Sequence, residues 1–200
     1  MRALDAIATR RSVRRFAPRD VPPAVLHELI AAAGAAPAPH HGRPWCFVEV
    51  RHETRPRLAE AMAAAWRADA AADGVPDSRI EAAVRRSRKQ VVEAPMLLLA
   101  CLEMGSARPW PDERRRAAER DMYVQSLGAA LQNLLLAAHA RSLGGYLKGA
   151  PLFCPAAVAE ALALPDAWQP AFLVLLGYPA EGAAPPPRPP ISDEDFLVAR

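Results

Sequence analysis

The stretch "GAALQNLLLAAHARSLGGYLKG" (residues 128–149) decides the fold. With Ser126 and Leu127 before it, its first part carries small or apolar residues on nearly every helical face. A helix of that kind is expected to be buried all round, against a sheet and other helices. Gly144 reads as its stop, and "GYLKG" (145–149) as a short strand entered directly from it. The helix is therefore an axis, and the rest of the chain must supply the sheet beneath it and the helices around it.

Working outward, the helical pattern reaches back to Asp112 and forward to Ser142. "MLLLACL" (96–102) and "AFLVLLGY" (171–178) are short, continuous apolar runs, as buried strands require, and "WCFVEV" (45–50) is rich in β-formers. Further helices are expected over 3–9 and over "DVPPAVLHELIAAAG" (20–34). In the second, Leu26, Leu29, Ile30 and Ala33 share a face and Gly34 ends the run. Others are expected from Thr54 to Ala71, from Asp77 to Val92 after the turn-like "ADGVPD", and over "CPAAVAEALAL". "EGAAPPPRPPISDEDF" (181–196) is too proline-rich for a central strand. The order of elements predicts an α+β sandwich, a central mixed, mainly antiparallel sheet flanked by helices. One domain spans 1–200, with 180–200 as an extended C-terminal arm.

Composition narrows the function classes. At 52% hydrophobic, 200 residues can bury a real core. A net charge of +3 is too small to suggest a nucleic-acid coat, so the arginines matter by where they cluster. Cys46, Cys101 and Cys154 form no CxxC, which argues against a disulfide framework or a zinc site and for the cytoplasm. Arg2, Asp5, Arg10 and Arg11 interrupt any leader-like apolar run, and no stretch is long enough to span a membrane.

Three segments carry candidate chemistry. "RRSVRRF" (10–16) reads either as an anion site, with guanidinium forks and a serine hydroxyl matched to phosphate oxygens, or as a solvated face at a helix end. "APAPHHGRPW" (36–45) is a stiff loop projecting His40, His41 and Arg43, or simply a rigid connection. Its adjacent histidines lack a carboxylate or cysteine at metal spacing, so no metal is expected. "SLGGYLKG" (142–149) lacks GxGxxG, and Gly149 is not explained by a helix stop. No nucleophile triad or isolated carboxylate pair stands out, so difficult chemistry would fall to a bound cofactor.

Taken in order, "RRSVRRF", the loop ending "RPW", "GAALQNLLLAAHARSLGGYLKG" and the late "LGYP" resemble the FMN-dependent nitroreductase family over nearly the whole chain. The resemblance implies an intertwined homodimer with FMN shared between chains. Arg10, Arg11, Ser12 and Arg14 would hold the phosphate and ribityl chain, completed by Arg188 of the arm. Pro37, Ala38, Pro39 and His41 would meet the ring system, and Gly149, with Lys148, would face its reactive nitrogen. Where common members have a serine pair, an asparagine and a glutamine before "PW", this chain has Ala38-Pro39, His41 and Arg43.

"APAPHHGRP" and "WRADAAADGVPDSRIEAAVRR" look more specifically like the flavin domain of the γ-glutamyl ligase that builds the deazaflavin coenzyme F-420. That branch implies reduction of a dehydro precursor, with His40, Arg43, Trp66, Arg67 and Trp110 as candidates for the substrate shell and NAD(P)H or reduced flavin as donor. The alternatives are a broad NAD(P)H-dependent nitro- or quinone reductase and a flavin- or deazaflavin-binding protein without turnover. A flavin-fragmenting branch that makes dimethylbenzimidazole ranks below these, because its loop pattern is not what "APAPHHGRPW" resembles.

Overall fold

A computed structural model of the chain describes residues 1–183, 189, 192, 194 and 196–198. Helices α1 (Ala3–Thr9) and α2 (Pro23–Gly34) precede strand β1 (Trp45–Glu49). Helices α3 (Arg55–Ala72) and α4 (Asp77–Glu93) lead to β2 (Met96–Glu103), and the long α5 (Glu113–Ala140) leads to β3 (Gly144–Lys148). Helix α6 (Pro155–Leu162) and strand β4 (Trp168–Gly177) complete the order. Local chemistry explains the ends. Helix α2 starts at Pro23 rather than near Asp20, because consecutive prolines preset the first turn. The Asp112 carboxylate caps α5 by accepting the Arg115 N–H at 2.9 Å.

The sheet runs β1-β2-β4-β3 with every neighbour antiparallel. The expected mixed sheet is thus antiparallel in its strands. The parallel component among the described residues is an isolated bridge, Ser12 to Gly145, which lays the arginine segment along the outer edge of β3. Strands β2 and β4 are apolar over 96–102 and 170–177 because both faces are covered. Leu98, Ala100, Leu102, Val174 and Leu176 pack toward α5 and α2. Leu97, Leu99, Cys101, Leu173 and Leu175 pack toward α3 and α6. Each fully buried leucine contributes about 1.5–3 kcal/mol.

Two expectations change. Helix α5 is not buried all round: Val124, Gly128 and Gln132 form an exposed stripe at helical spacing, because the sheet and α2 cover only part of its circumference. Its stop is not Gly144 but Ser142, which takes the left-handed conformation at φ 60° while Leu143 N–H reaches back to the Ala138 carbonyl. Gly144 and Gly145 instead make room for neighbours. A Cβ on Gly144 would lie 2.6 Å from Val13 Cβ, and one on Gly145 would lie 2.6 Å from Leu176 Cδ2. Finally, Cys46 and Cys101, distant in sequence, are register partners across β1 and β2. All three cysteines are free thiols.

No helix among the described residues is long and apolar enough to cross a membrane. Most of the expected C-terminal arm, Arg188 included, lies outside the described residues.

Candidate functional site

Val13 is the inward anchor of the arginine segment: it packs on Gly144, and its N–H donates to the Gly145 carbonyl at 3.2 Å. In an extended segment alternate residues share a face, so Ser12 and Arg14 lie on the face opposite Val13. The chain just after β4 returns along the same segment, with Ala17 N–H donating to the Tyr178 carbonyl and Ala180 N–H to the Arg15 carbonyl. The arginines therefore divide: Arg14 and Arg15 face the α4 side of the β3 edge, whereas Arg10 and Arg11 line a separate pocket with Leu135, His139, Ser142 and Pro179.

Between that edge and α4 opens a cleft of about 460 Å³. Arg14 and Arg15 line one side, Tyr146 of β3 forms part of the floor, and Arg86, Lys89, Gln90 and Glu93 of α4 line the other side, with Glu93 3.9 Å from Lys89 Nζ. Tyr146 is 5% exposed, and its hydroxyl is buried without a hydrogen-bond partner among the described residues. The Arg14 guanidinium carbon stands 5.3 Å from the centre of its ring. Burial pushes the phenol up to about 12, against the opposing pull of Arg14, so it stays a neutral donor near neutral pH. A buried donor without a partner is costly unless a ligand takes its hydrogen bond. An orphaned hydroxyl beneath four cations, of which Lys89 alone is paired, among the described residues, to a carboxylate of the cleft, Glu93, fits the polar, anionic parts of a flavin mononucleotide, and the residues present thus fit that cofactor.

Lys148, two residues along β3, donates to Gln90 Oε1 at 3.2 Å, and Gly149 follows it with an ordinary φ of −81°. Burial, and then repulsion by Arg86, holds the Lys148 ammonium below the usual lysine value. The α4 residues were missed in the sequence. The signal was present as cations at 86 and 89 with Gln90 beside them, but a helix so rich in arginine gives no clue to which face meets a ligand.

The loop residues lie elsewhere. Pro39–His41 form a single 3-10 turn, and His40, His41 and Arg43 all have positive φ, at 51°, 57° and 47°. Left-handed backbone at three such residues is strained and is held from outside. Ser126 Oγ donates to the Pro37 carbonyl at 2.6 Å, and His40 Nδ1 lies 3.4 Å from Arg108 Nη2. Buried Glu119 holds the Arg108 end of that contact, accepting the Arg108 N–H at 2.9 Å and the Trp110 indole N–H. Those hydrogen bonds, first the one from Arg108, keep its carboxylate below the usual range.

From Ser12, beyond β3, to Trp45, at the start of β1, the path crosses four strand spacings and six residues of register. That is about 19 Å across and about 20 Å along, roughly 28 Å on the diagonal. The arginine segment and the start of β1 thus lie at opposite corners of the sheet.

The remaining candidates separate as well. Trp66 lines a second cavity beside Lys148. Arg67 is engaged by Glu60 at 2.8 Å and Glu81 at 2.7 Å on the α3–α4 surface. Trp110 has its indole N–H taken by Glu119 and the Arg115 guanidinium 4.9 Å from its ring. No metal-binding group of three or more His, Cys, Asp or Glu occurs among the described residues.

Comparison with known proteins agrees with this architecture. The family model "Nitroreductase family" matches residues 7–178. A Methanothermobacter thermautotrophicus protein named "Putative NADH dehydrogenase/NAD(P)H nitroreductase" is 30% identical over 183 residues, covering 90% of this chain and 79% of that protein. The 5,6-dimethylbenzimidazole synthase of Rhodospirillum rubrum is 29% identical over 181 residues, covering 89% and 82%. Among solved structures, a nitroreductase-like family protein from Bacillus cereus superposes with a TM-score of 0.77 at 20% identity, over 100% of this chain and 96% of that one. The match to the family model across the sheet, the arginine segment and the long helix makes this chain a member of the nitroreductase family.

Proposed function

We propose that this nitroreductase-family oxidoreductase binds FMN in the cleft between the N-terminal arginines, β3 and α4, and passes electrons from NAD(P)H or a reduced flavin to a small acceptor. The observation that carries the reading is the orphaned Tyr146 hydroxyl in a cleft ringed by Arg14, Arg15, Arg86 and Lys89. FMN, when bound, supplies two-electron hydride chemistry that no side chain here can supply. Arg14, which lines the cleft, and Ser12 on the same face of the segment hold its phosphate and ribityl chain, and Tyr146 donates to one of its polar atoms; Arg10 and Arg11, given the same role by the family resemblance, line a neighbouring pocket against α5. The Gly149 N–H and Lys148 lie at the ring end. In the homodimer that the family resemblance implies, Pro37, Ala38, Pro39 and His41 of one chain close over the ring held by the other, while His40 and Arg43 stand nearer the acceptor. Three free thiols favour the cytoplasm.

The finer reading names the acceptor as the dehydro precursor of the deazaflavin coenzyme F-420. It rests on the likeness of "APAPHHGRP" and "WRADAAADGVPDSRIEAAVRR" to that branch, and on a cation-rich surround suited to an acidic substrate. A second reading, a broad NAD(P)H-dependent nitro- or quinone reductase, is favoured by the Methanothermobacter relative.

Anaerobically reduced protein is mixed in turn with the dehydro precursor, a neutral quinone and a neutral nitroarene. The F-420 reading expects fast reoxidation by the precursor, the reduced product by mass, and a rate that falls as salt rises. Reoxidation by the neutral acceptors alone establishes the broad reductase. Reoxidation by none of them leaves a binding protein. Dimethylbenzimidazole appearing when oxygen is admitted assigns the chemistry of the Rhodospirillum relative instead.

A further inference from the structure

We propose that Cys46 and Cys101 form a redox-active dithiol, a modification site at which a peroxide closes a reversible disulfide between β1 and β2. Neither cysteine lines the flavin cleft, and the site stands independently of the flavin reading.

Strand register brings the two sulfurs together. Cys46 and Cys101 lie directly opposite each other in an antiparallel pair, so their side chains leave the sheet on the same face. Cys101 is fully buried there with Leu97, Leu99 and Leu173, and half-buried Cys46 packs against the same cluster. Cross-strand hydrogen bonds flank the pair: Val50 N–H donates to the Leu97 carbonyl at 2.9 Å, and Glu103 N–H to the Pro44 carbonyl at 3.1 Å. Bonded and non-bonded pairs alternate along such a ladder, and position 46 is in phase with 44 and 50. Cys46 and Cys101 are therefore a hydrogen-bonded pair, with Cα atoms about 5.5 Å apart.

A disulfide spans Cα separations of about 4.4–6.8 Å, so the bond can close while the strands stay paired. The Cβ atoms of directly opposite residues, about 4.5–5.5 Å apart, must approach to about 3.8 Å. The backbone has room to yield. Among the described residues β1 is paired on one side only, and β2 carries an irregularity against β4 between Ala100 and Cys101. The remaining strain makes the bond labile, the kind that serves redox sensing in a reducing compartment rather than structure.

The sulfurs take different roles. The Cys101 thiol donates to the Cys46 sulfur, which holds Cys46 below the usual thiol value against the opposing effect of burial. The same contact, and then burial, pushes Cys101 up. Cys46 is thus the nucleophile and Cys101 the resolving thiol. Cys46 Sγ, as thiolate, attacks one peroxide oxygen: an S–O bond forms, the O–O bond breaks, and the other oxygen leaves with the proton that Cys46 gave up. Cys101 Sγ then attacks the Cys46 sulfenic acid, the S–O bond breaks, and the oxygen departs as water with the Cys101 proton. Two electrons pass from the thiol pair to the peroxide.

The test is treatment of the reduced full chain with hydrogen peroxide, removal of the peroxide, and a thiol count in denaturant together with peptide masses. The count should fall from three to one, and the peptide of Cys46 should be joined to that of Cys101 with the loss of two hydrogens. Glutathione should restore all three thiols. Cys154→Ser should leave the cross-link intact. In Cys101→Ser, Cys46 should stop at a sulfenic acid that dimedone traps; in Cys46→Ser, Cys101 should remain a thiol. A count that stays at three in the unaltered protein overturns the proposal. So does a bond to Cys154, oxidation of Cys46 without a cross-link, or a disulfide that glutathione does not open.

Discussion

Replacing Tyr146 by phenylalanine has opposite effects on the empty and the loaded protein. The hydroxyl is buried without a partner among the described residues, so its removal from the FMN-free protein relieves a desolvation penalty and raises stability by about 1 kcal/mol. The same change removes a donor from the flavin and should weaken FMN several-fold; matched thermal melts with and without FMN read both effects. A second residue-scale test concerns Glu119. Its folded carboxyl lies below the usual value, so the stability it contributes is complete above about pH 4.3 and is lost as pH falls through the depressed folded value. Trp110 fluorescence should report that loss, and Glu119→Gln should remove the acid transition from it. An unchanged acid transition in the variant would place its origin elsewhere.

At the scale of elements, the C-terminal end of α4 decides whether Arg86, Lys89 and Gln90 face the cleft. That end is tied down by Arg55, which is 3% exposed and donates to the carbonyls of Val50 at 2.9 Å, Val92 at 3.4 Å and Ala94. Arg55→Met leaves those carbonyls unsatisfied and should cost about 2–4 kcal/mol, lowering the urea midpoint and weakening FMN with it. Loss of stability with full FMN affinity would show that α4 does not form the cleft wall.

The elements themselves were legible, because strands buried on both faces appear as continuous apolar runs and the helix ends are marked by proline, aspartate and glycine. The residues that convert elements into a site were less so. Gly144 and Gly145 resemble a helix stop in the sequence, yet they are required by the close approach of Val13 and Leu176, which only the packed sheet reveals. Arg67 resembles a free cation until α4 brings Glu81 beside it. Register decides the rest: nothing in the spacing of "RRSVRRF" and "APAPHHGRPW" tells that they lie at opposite corners of one sheet.

At the scale of the whole molecule, the proposed homodimer is tested at the exposed stripe on α5. Val124→Glu on the stripe should convert a dimer in analytical ultracentrifugation to monomer and weaken FMN together with it. A variant that stays dimeric would exclude α5 from the interface. The central claim, that the cationic cleft holds FMN through its phosphate, is tested most directly by titrating flavin-free protein with FMN and with riboflavin, before and after Arg14→Ala. The account predicts one FMN per chain, with riboflavin much weaker. The substitution should weaken FMN by about 1.5–3 kcal/mol, roughly a factor of 10 to 150, while riboflavin, which has no phosphate to lose, changes little. Equal affinity for the two flavins, or equal loss of both on substitution, would contradict it.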